Sequence, residues 1–388
     1  MAESARKEHM LSMPDWSHLP EELLHIISKN LENCFDVVHA RSVCRSWRSN
    51  FPFPACLSRQ SYSLPTFLTY YPKEDGDLCT LEKIPLFVFT VHNPTSSVSE
   101  YLLGGIVGDE PGDDEELPSR LQSSVNLKMP YTNLINVLDC HILSLGHQYR
   151  IKHISTRRDF QGPTVYGGVA FIQLNKEGGG DFMVLLNDVN GLMLLTSAEM
   201  RWKRLKNVPS GTCMDIVSFR GKFYATFLLR ETFVIDPYTM DVTTLMPLQD
   251  EISNNYLVRC GDDELFLVEL TYPMISDDVV DPKFYTCRVS RLDEEAGRWV
   301  EVRDLGDRVF FIGYRGNFSC LAKDLCDGRV SGNSVLITNM CMDLPFFFKY
   351  GLRMGSVEED LESYLSVSLE NRVTIVYNTY PVLALLVQ

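Results

Sequence analysis

Ala170-Phe171-Ile172-Gln173-Leu174, then Gly178-Gly179-Gly180, then Phe182-Met183-Val184-Leu185-Leu186 read as a strand, a turn and a second strand. Short apolar runs rich in β-branched and aromatic residues, cut by glycine, are the signature of a β-hairpin. Cys287-Arg288-Val289-Ser290-Arg291-Leu292, a turn from Asp293 to Gly297, and Trp299-Val300-Glu301-Val302 repeat the same plan. Alternation in these runs predicts sheets with one face more exposed. From Tyr62 onward such units follow one another between Gly, Pro, Asp and Asn turns, and helical periodicity is nearly absent.

Aromatic-aliphatic strands begin near Phe182, Phe223, Leu265 and Val309, at separations of 41, 42 and 44 residues. Four strands and their turns need about 40–50 residues, the size of one propeller blade. Residues 62 to 388 then hold about six or seven blades. Two packed sandwiches are the main alternative, because the repeat marks are strands and not a strict motif. Gly104-Gly105 and Gly167-Gly168 invite a kelch reading, but Trp202 and Trp299 stand at no fixed short offset from such pairs, and no Trp-Asp dipeptide supports a WD-type repeat.

The first sixty residues differ. Leu23, Ile27 and Leu31 form an i, i+4, i+8 stripe with Leu24 and Ile26 beside it, which predicts an amphipathic helix. Pro20 suits its first position, and Glu21 and Glu22 favour the positive end of the helix dipole. Asn33 is placed to cap a second helix carrying Phe35, Val37 and Val38, and Val43 and Trp47, spaced i, i+4, mark a third that Pro52 and Pro54 end. Three short helices bury little surface by themselves, so some apolar side chains are expected to face a partner or a neighbouring domain.

Leu19-Pro20-Glu21-Glu22-Leu23-Leu24 and Val43-Cys44-Arg45-Ser46-Trp47 resemble the opening and closing signatures of an F-box. The resemblance implies that the helices insert into an SKP-type adaptor, itself bound to a cullin, and that Leu19, Pro20, Leu23, Ile27, Val43, Cys44 and Trp47 include the adaptor contacts. Farther along, Gly221-Lys222-Phe223-Tyr224-Ala225, the stretch from Leu292 to Val302, Leu305-Gly306-Asp307-Arg308-Val309 and Asn317-Phe318-Ser319 resemble the KIB-type propeller domain that follows many plant F-boxes. That likeness is clearest from about residue 165 to 345. The expected organisation is a flexible N-terminus over 1–12, a small all-α F-box of three short helices over 13–60 and a large all-β, propeller-like substrate-recognition domain over 61–388. The implied role is the substrate-recognition subunit of an SKP-cullin-F-box ubiquitin ligase, holding an unknown protein target. An F-box scaffold that acts without ubiquitin ligation, and an enzyme whose β domain hides its site, remain as alternatives.

Composition is consistent with that role. Lys+Arg 36 against Asp+Glu 51 gives a net charge of -15, which argues against nucleic acid or an anionic membrane as partner. Eleven cysteines without a regular framework favour reduced thiols, hence an intracellular setting in nucleus or cytosol, and no apolar run approaches the length of a membrane helix. No cofactor, metal or catalytic residue is expected. The chain lacks a Gly-x-Ser-x-Gly elbow, a P-loop, a dinucleotide fingerprint and a His-Glu-x-x-His helix. His141, His147 and His153 are six apart, but Gly146 interrupts them and no carboxylate or cysteine stands at ligand spacing; Cys320 and Cys326 likewise lack a Cys-x-x-Cys pair. Gly178 to Gly180 lacks the following helix of a phosphate cradle. Cys44, conceivable as a ubiquitin-accepting thiol, sits in an apolar signature and reads as packing. The acidic run from Asp109 to Glu116 reads as a solvated loop.

Overall fold

The computed structural model describes residues 15–31, 34–51, 61–67, 78–92, 99–108, 123–126, 134–136, 140–153, 166–174, 180–188, 191–208, 211–228, 232–245, 253–271, 286–312, 316–325, 330–339, 346–352, 356–357, 372–377 and 383–387. Residues 1–12, Asn33, Cys326 and the acidic run lie outside them.

Three helices open the chain: α1 (Glu21–Asn30), α2 (Cys34–Val43) and α3 (Arg45–Asn50). Pro20 is the cap of α1 and not its first residue. Its ψ of 145 is extended, and its carbonyl accepts from the N–H groups of Leu23 and Leu24, both at 3.1 Å. Val43 and Trp47 do not share a helix either, because Cys44 adopts an extended conformation (φ -160, ψ 179) that separates α2 from α3.

The β domain is built from five sheets among the described residues. Blade two runs Tyr166–Gln173, Phe182–Asp188, Gly191–Thr196, Arg201–Arg204, each strand antiparallel to the last. Blade three (Cys213–Phe219, Lys222–Phe227, Thr232–Ile235, Val242–Leu245) and blade four (Asn254–Cys260, Glu264–Thr271, Thr286–Asp293, Arg298–Val302) are meanders of the same kind. The hairpins read from sequence are present: the Leu174 N–H donates to the Asp181 carbonyl at 2.9 Å, and Gly297 turns at φ +59 beside an Ala296 N–H bonded to Asp293 Oδ1. Blade five departs from the plan. Phe318–Leu321 lies innermost, then Arg308–Ile312, which pairs in parallel with Ser334–Asn339, then Phe346–Gly351 and Ser356–Val357. Sheet one contains two long strands, Leu78–His92 and Cys140–His153, paired along most of their length. It also contains Ser61–Pro65, Ser99–Gly108, Ser123–Asn126 and Leu134–Asn136, and the C-terminal strands Arg372–Tyr377 and Leu383–Val387 return to pair with the last two of these.

These sheets close into a ring. Five apolar cores fill the gaps between successive sheets: Leu81, Ile151 and Phe171 between one and two; Leu185, Ile216 and Phe223 between two and three; Leu257, Leu265 and Tyr224 between three and four; Val268, Phe310 and Val335 between four and five; Leu86, Val309 and Leu336 between five and one. The inner strands Cys140–His153, Tyr166–Gln173, Cys213–Phe219, Asn254–Cys260 and Phe318–Leu321 are neighbours in that cyclic order. The domain is therefore a five-bladed β-propeller, neither two sandwiches nor a propeller of six or seven blades. The overcount has a physical cause: the strands before residue 160 and the last strands of the chain are absorbed into one wide sheet.

The second strand of each meander is buried on both faces, over Phe182 to Leu186, Phe223 to Phe227 and Leu265 to Leu270. Hence these strands read as continuous apolar runs, and the expectation of a more exposed face fails for them: a blade packs against a neighbour on each side. Polar bonds stitch the blades near the axis. Asn187 Nδ2 donates to the Cys213 carbonyl (3.0 Å), Asn255 Nδ2 to the Phe227 carbonyl (3.1 Å), Thr226 Oγ1 to the Asn255 carbonyl (3.1 Å) and Ser319 Oγ to the Arg259 carbonyl (3.3 Å). Farther out, Trp202 Nε1 of blade two donates to the Pro65 carbonyl of sheet one at 2.7 Å.

Candidate functional site

The helical module has its own small core: Leu24, Val37, Ala40 and Phe51 are buried, and Leu19, Ile27, Leu31 and Trp47 pack against them. The inward face of α1 is thus Leu24, Ile27 and Leu31, an i, i+3, i+7 line. Leu23 and Ile26 occupy the opposite half and are exposed at 45% and 56%. Arg41 ties α2 to the end of α3, its Nη1 donating to the carbonyls of Arg48 (2.8 Å) and Phe51. The Trp47 ring stacks on Phe51 with centroids 5.2 Å apart, and its Nε1 donates to the Trp16 carbonyl at 2.8 Å. That bond anchors a 3-10 turn, Trp16–His18, capped by Asp15 through the Ser17 N–H; the turn leaves the Trp16 side chain exposed at 58%.

The residues named from sequence therefore separate. Pro20, Leu23 and Val43 are exposed, Val43 at 51%. Leu19, Ile27 and Trp47 are half-buried and serve the core, and Cys44 is half-buried at the break between α2 and α3. Trp16 and Ile26 belong with the exposed set, although the sequence pattern names neither as a contact. Trp16 precedes the recognised signature, and Ile26 lies one position off the Leu23, Ile27, Leu31 stripe. Trp16, Leu23, Ile26 and Val43 are four of the seven large exposed apolar side chains among the described residues, gathered within this one small module. Of these, Leu23 and Ile26 stand three residues apart on α1 and are neighbours on its surface.

In the propeller, Asp215 stands on the inner strand of blade three beside a bulge. Its Oδ2 accepts from the Leu257 N–H of blade four (2.8 Å) and from Asn317 Nδ2 of blade five (2.7 Å), and its Oδ1 accepts from the Ile216 N–H (2.8 Å). One carboxyl group thus joins three blades. Burial raises its pKa to about 7, against the lowering effect of those three donors. His147 lies on the inner strand of sheet one, reachable by solvent but enclosed by the surrounding protein. That enclosure, and then the charges of Lys83 and Arg259, lower its pKa to about 4. His141 lies on the same strand, and His153 ends it; among the described residues no three metal-ligating side chains are grouped to hold an ion. Burial pushes the thiols of Cys213, Cys260, Cys287 and Cys320 upward, the last to about 12, which disfavours the reactive thiolate. A cleft between blades four and five is lined by Glu269, Cys287, Arg288 and Tyr350, which bring opposed charges to it. No described helix is long and apolar enough to cross a membrane.

Comparison with known proteins agrees with this architecture. Residues 16–50 match the F-box domain, and residues 112–378 match the KIB1-4 beta-propeller. The chain belongs to the KIB1-4 β-propeller family. It is 53% identical to the F-box/kelch-repeat protein At1g64840 of Arabidopsis thaliana over 96% of both chains. It is 47% identical to the F-box/kelch-repeat protein At2g24250 of the same plant, over 97% of this chain and 96% of that one. Among solved structures, the β-propeller domain of Myceliophteria thermophila Cps50 (Swd1) covers 77% of this chain and 98% of its own, at 13% identity and a TM-score of 0.30. In this KIB1-4 protein the F-box and the propeller are thus joined in one chain, and F-box proteins generally act as substrate receptors of ubiquitin ligases.

Proposed function

We propose that this KIB1-4 protein is the substrate-recognition subunit of an SKP-cullin-F-box ubiquitin ligase, with the F-box over 13–60 docking the adaptor and the propeller over 61–388 holding the target. The observation that carries the reading is the exposed set Trp16, Leu23, Ile26 and Val43 on a module whose own core is already filled by Leu24, Val37, Ala40 and Phe51. Apolar anchors left outside a completed core gain about 1.5–3 kcal/mol each when an interface fully buries them, and tryptophan is a favoured anchor. Pro20 and Cys44 border this set, while Leu19, Ile27 and Trp47 act from beneath by holding α1 and α3 in place. The chain then contributes proximity and no acid, base or nucleophile: a target held near a ubiquitin-charged enzyme reacts at a raised effective concentration.

Affinity capture of the full chain tests this. Recovery of an SKP-type adaptor together with a cullin, and ubiquitin transfer to a co-captured protein in the reconstituted complex, are the expected results. Recovery of the adaptor without a cullin would favour a scaffold, and turnover of a small substrate by the purified chain would favour an enzyme.

A further inference from the structure

The outer strand of blade four stops short of one corner of its sheet. It pairs with the third strand, Thr286–Asp293, as far as Val302 opposite Val289, so Thr286, Cys287 and Arg288 lie beyond that pairing. The cleft between blades four and five opens there. Its volume of about 520 Å³ falls within the roughly 300–1,000 Å³ of small-molecule sites. Because it sits at a strand edge, its lining comes from both faces of the sheet.

One face supplies charge. Glu269 lies directly opposite Arg288, and Thr271 lies opposite Thr286 two residues along, on the same face. The Glu269 side chain is 8% exposed and that of Arg288 28%, with Glu269 Oε2 standing 4.0 Å from Arg288 Nη1. A charge-assisted hydrogen bond needs about 2.7–2.9 Å, so these two groups attract one another across a gap. The other face, toward blade five, supplies apolar wall: Val289 and Val302 oppose each other there, and Tyr350 and Leu352 come from blade five. The remaining charges of the described lining are engaged at its rim. Arg303 Nε donates to Glu301 Oε1 at 3.1 Å, and Asp304 Oδ1 accepts from the Gly306 N–H at 2.8 Å.

We propose that this cleft binds a free α-amino acid with an apolar side chain. Two opposite charges held just apart, beside an apolar wall, match a molecule that carries an ammonium, a carboxylate and an apolar group on one carbon. The ammonium donates to the Glu269 carboxylate, and the carboxylate accepts from the planar fork of Arg288. The apolar group crosses the strand edge to rest on Val289, Val302 and Leu352. Burial of Glu269 lowers the local dielectric and strengthens its attraction for the ammonium. An interior residue of a polypeptide carries neither main-chain charge, so the cleft selects a free amino acid over a protein segment. The site is independent of the receptor reading above.

Calorimetry on the full chain with L-leucine and L-phenylalanine tests the site. At least one is expected to bind saturably. Its amino alcohol, which lacks the carboxylate, and its des-amino acid, which lacks the ammonium, are each expected to bind roughly tenfold more weakly or worse. Two variants locate the binding. Glu269→Gln/Arg288→Gln removes both charges and so leaves neither buried without its partner. Thr286→Trp carries a large ring into the cleft from an exposed position. Each is expected to weaken binding by roughly tenfold or more while the chain stays folded. The comparison of amino acid with analogues uses the wild-type chain, so it decides the matter even where a variant fails to fold. No binding of either amino acid, analogues bound as tightly as the parent, or full affinity in a folded variant would overturn the site.

Discussion

Replacing Leu23 and Ile26 together by alanine is expected to weaken adaptor binding while leaving the helical module folded. Both side chains point away from the core formed by Leu24, Val37, Ala40 and Phe51, and they are 45% and 56% exposed. Fully burying a leucine or isoleucine is worth about 1.5–3 kcal/mol, so an interface that covers the remaining half gains about 1 kcal/mol from each. The pair then contributes about 2 kcal/mol, a loss of roughly 30-fold in affinity. Surface truncations of this kind shift stability by only about 0.5 kcal/mol. Leu24→Ala is the matched opposite. Leu24 is fully buried, and opening that cavity costs about 2–5 kcal/mol, a large share of what the four buried side chains described in this core supply. Titration calorimetry against the purified adaptor, with thermal unfolding followed in parallel, separates the two. Affinity of the Leu23/Ile26 double variant within twofold of wild type would refute the assignment of this face, as would a module already unfolded by the double change.

The propeller supports three further expectations. The pKa of Asp215 is raised from 3.8 to about 7, so between those values the folded state binds the extra proton. Stability should then be greatest below about pH 4 as far as this group is concerned and fall by up to about 1.4 kcal/mol per pH unit as the pH rises toward 7. Denaturant midpoints across that window measure the slope, and Asp215→Asn should flatten it; a slope that survives the substitution would exclude Asp215 as its source. Trp202→Phe keeps one aromatic ring but removes the indole Nε1 bond to the Pro65 carbonyl between blade two and sheet one, and is expected to cost about 1–3 kcal/mol in chemical denaturation. At Gly332 an added Cβ would lie 2.5 Å from the Gly306 carbonyl oxygen and 2.6 Å from Asp307 Cα, so Gly332→Ala must displace backbone; a melting temperature equal to wild type would show that the two loops are not in contact.

How much of this was legible beforehand depends on how far apart the interacting residues lie. The marks at Phe182, Phe223, Leu265 and Val309 each fall on the strand next to the innermost one, in four successive blades. They were visible because a strand packed between two neighbours must be apolar on both faces, and that requirement is written in consecutive residues. The F-box signatures were legible for the same reason, being local. The number of blades was not, since it depends on Arg372–Tyr377 and Leu383–Val387 returning to pair with strands more than 240 positions earlier. Nor was Asp215, whose partners Leu257 and Asn317 are 42 and 102 residues away.

Sequence by itself thus determined the class of each part, a short amphipathic α module followed by repeated β meanders, because helix and strand periodicities are properties of neighbouring residues. Only the tertiary structure decided which side of each element is the outside. On α1, four apolar side chains cover more of the helix than one partner needs, and the packing of α2 and α3 against Leu24 is what leaves Leu23 and Ile26 free to meet another protein. In the propeller, ring closure sets the Asp215 carboxylate of blade three against the Leu257 N–H of blade four and the Asn317 side chain of blade five, an arrangement that no spacing along the chain encodes.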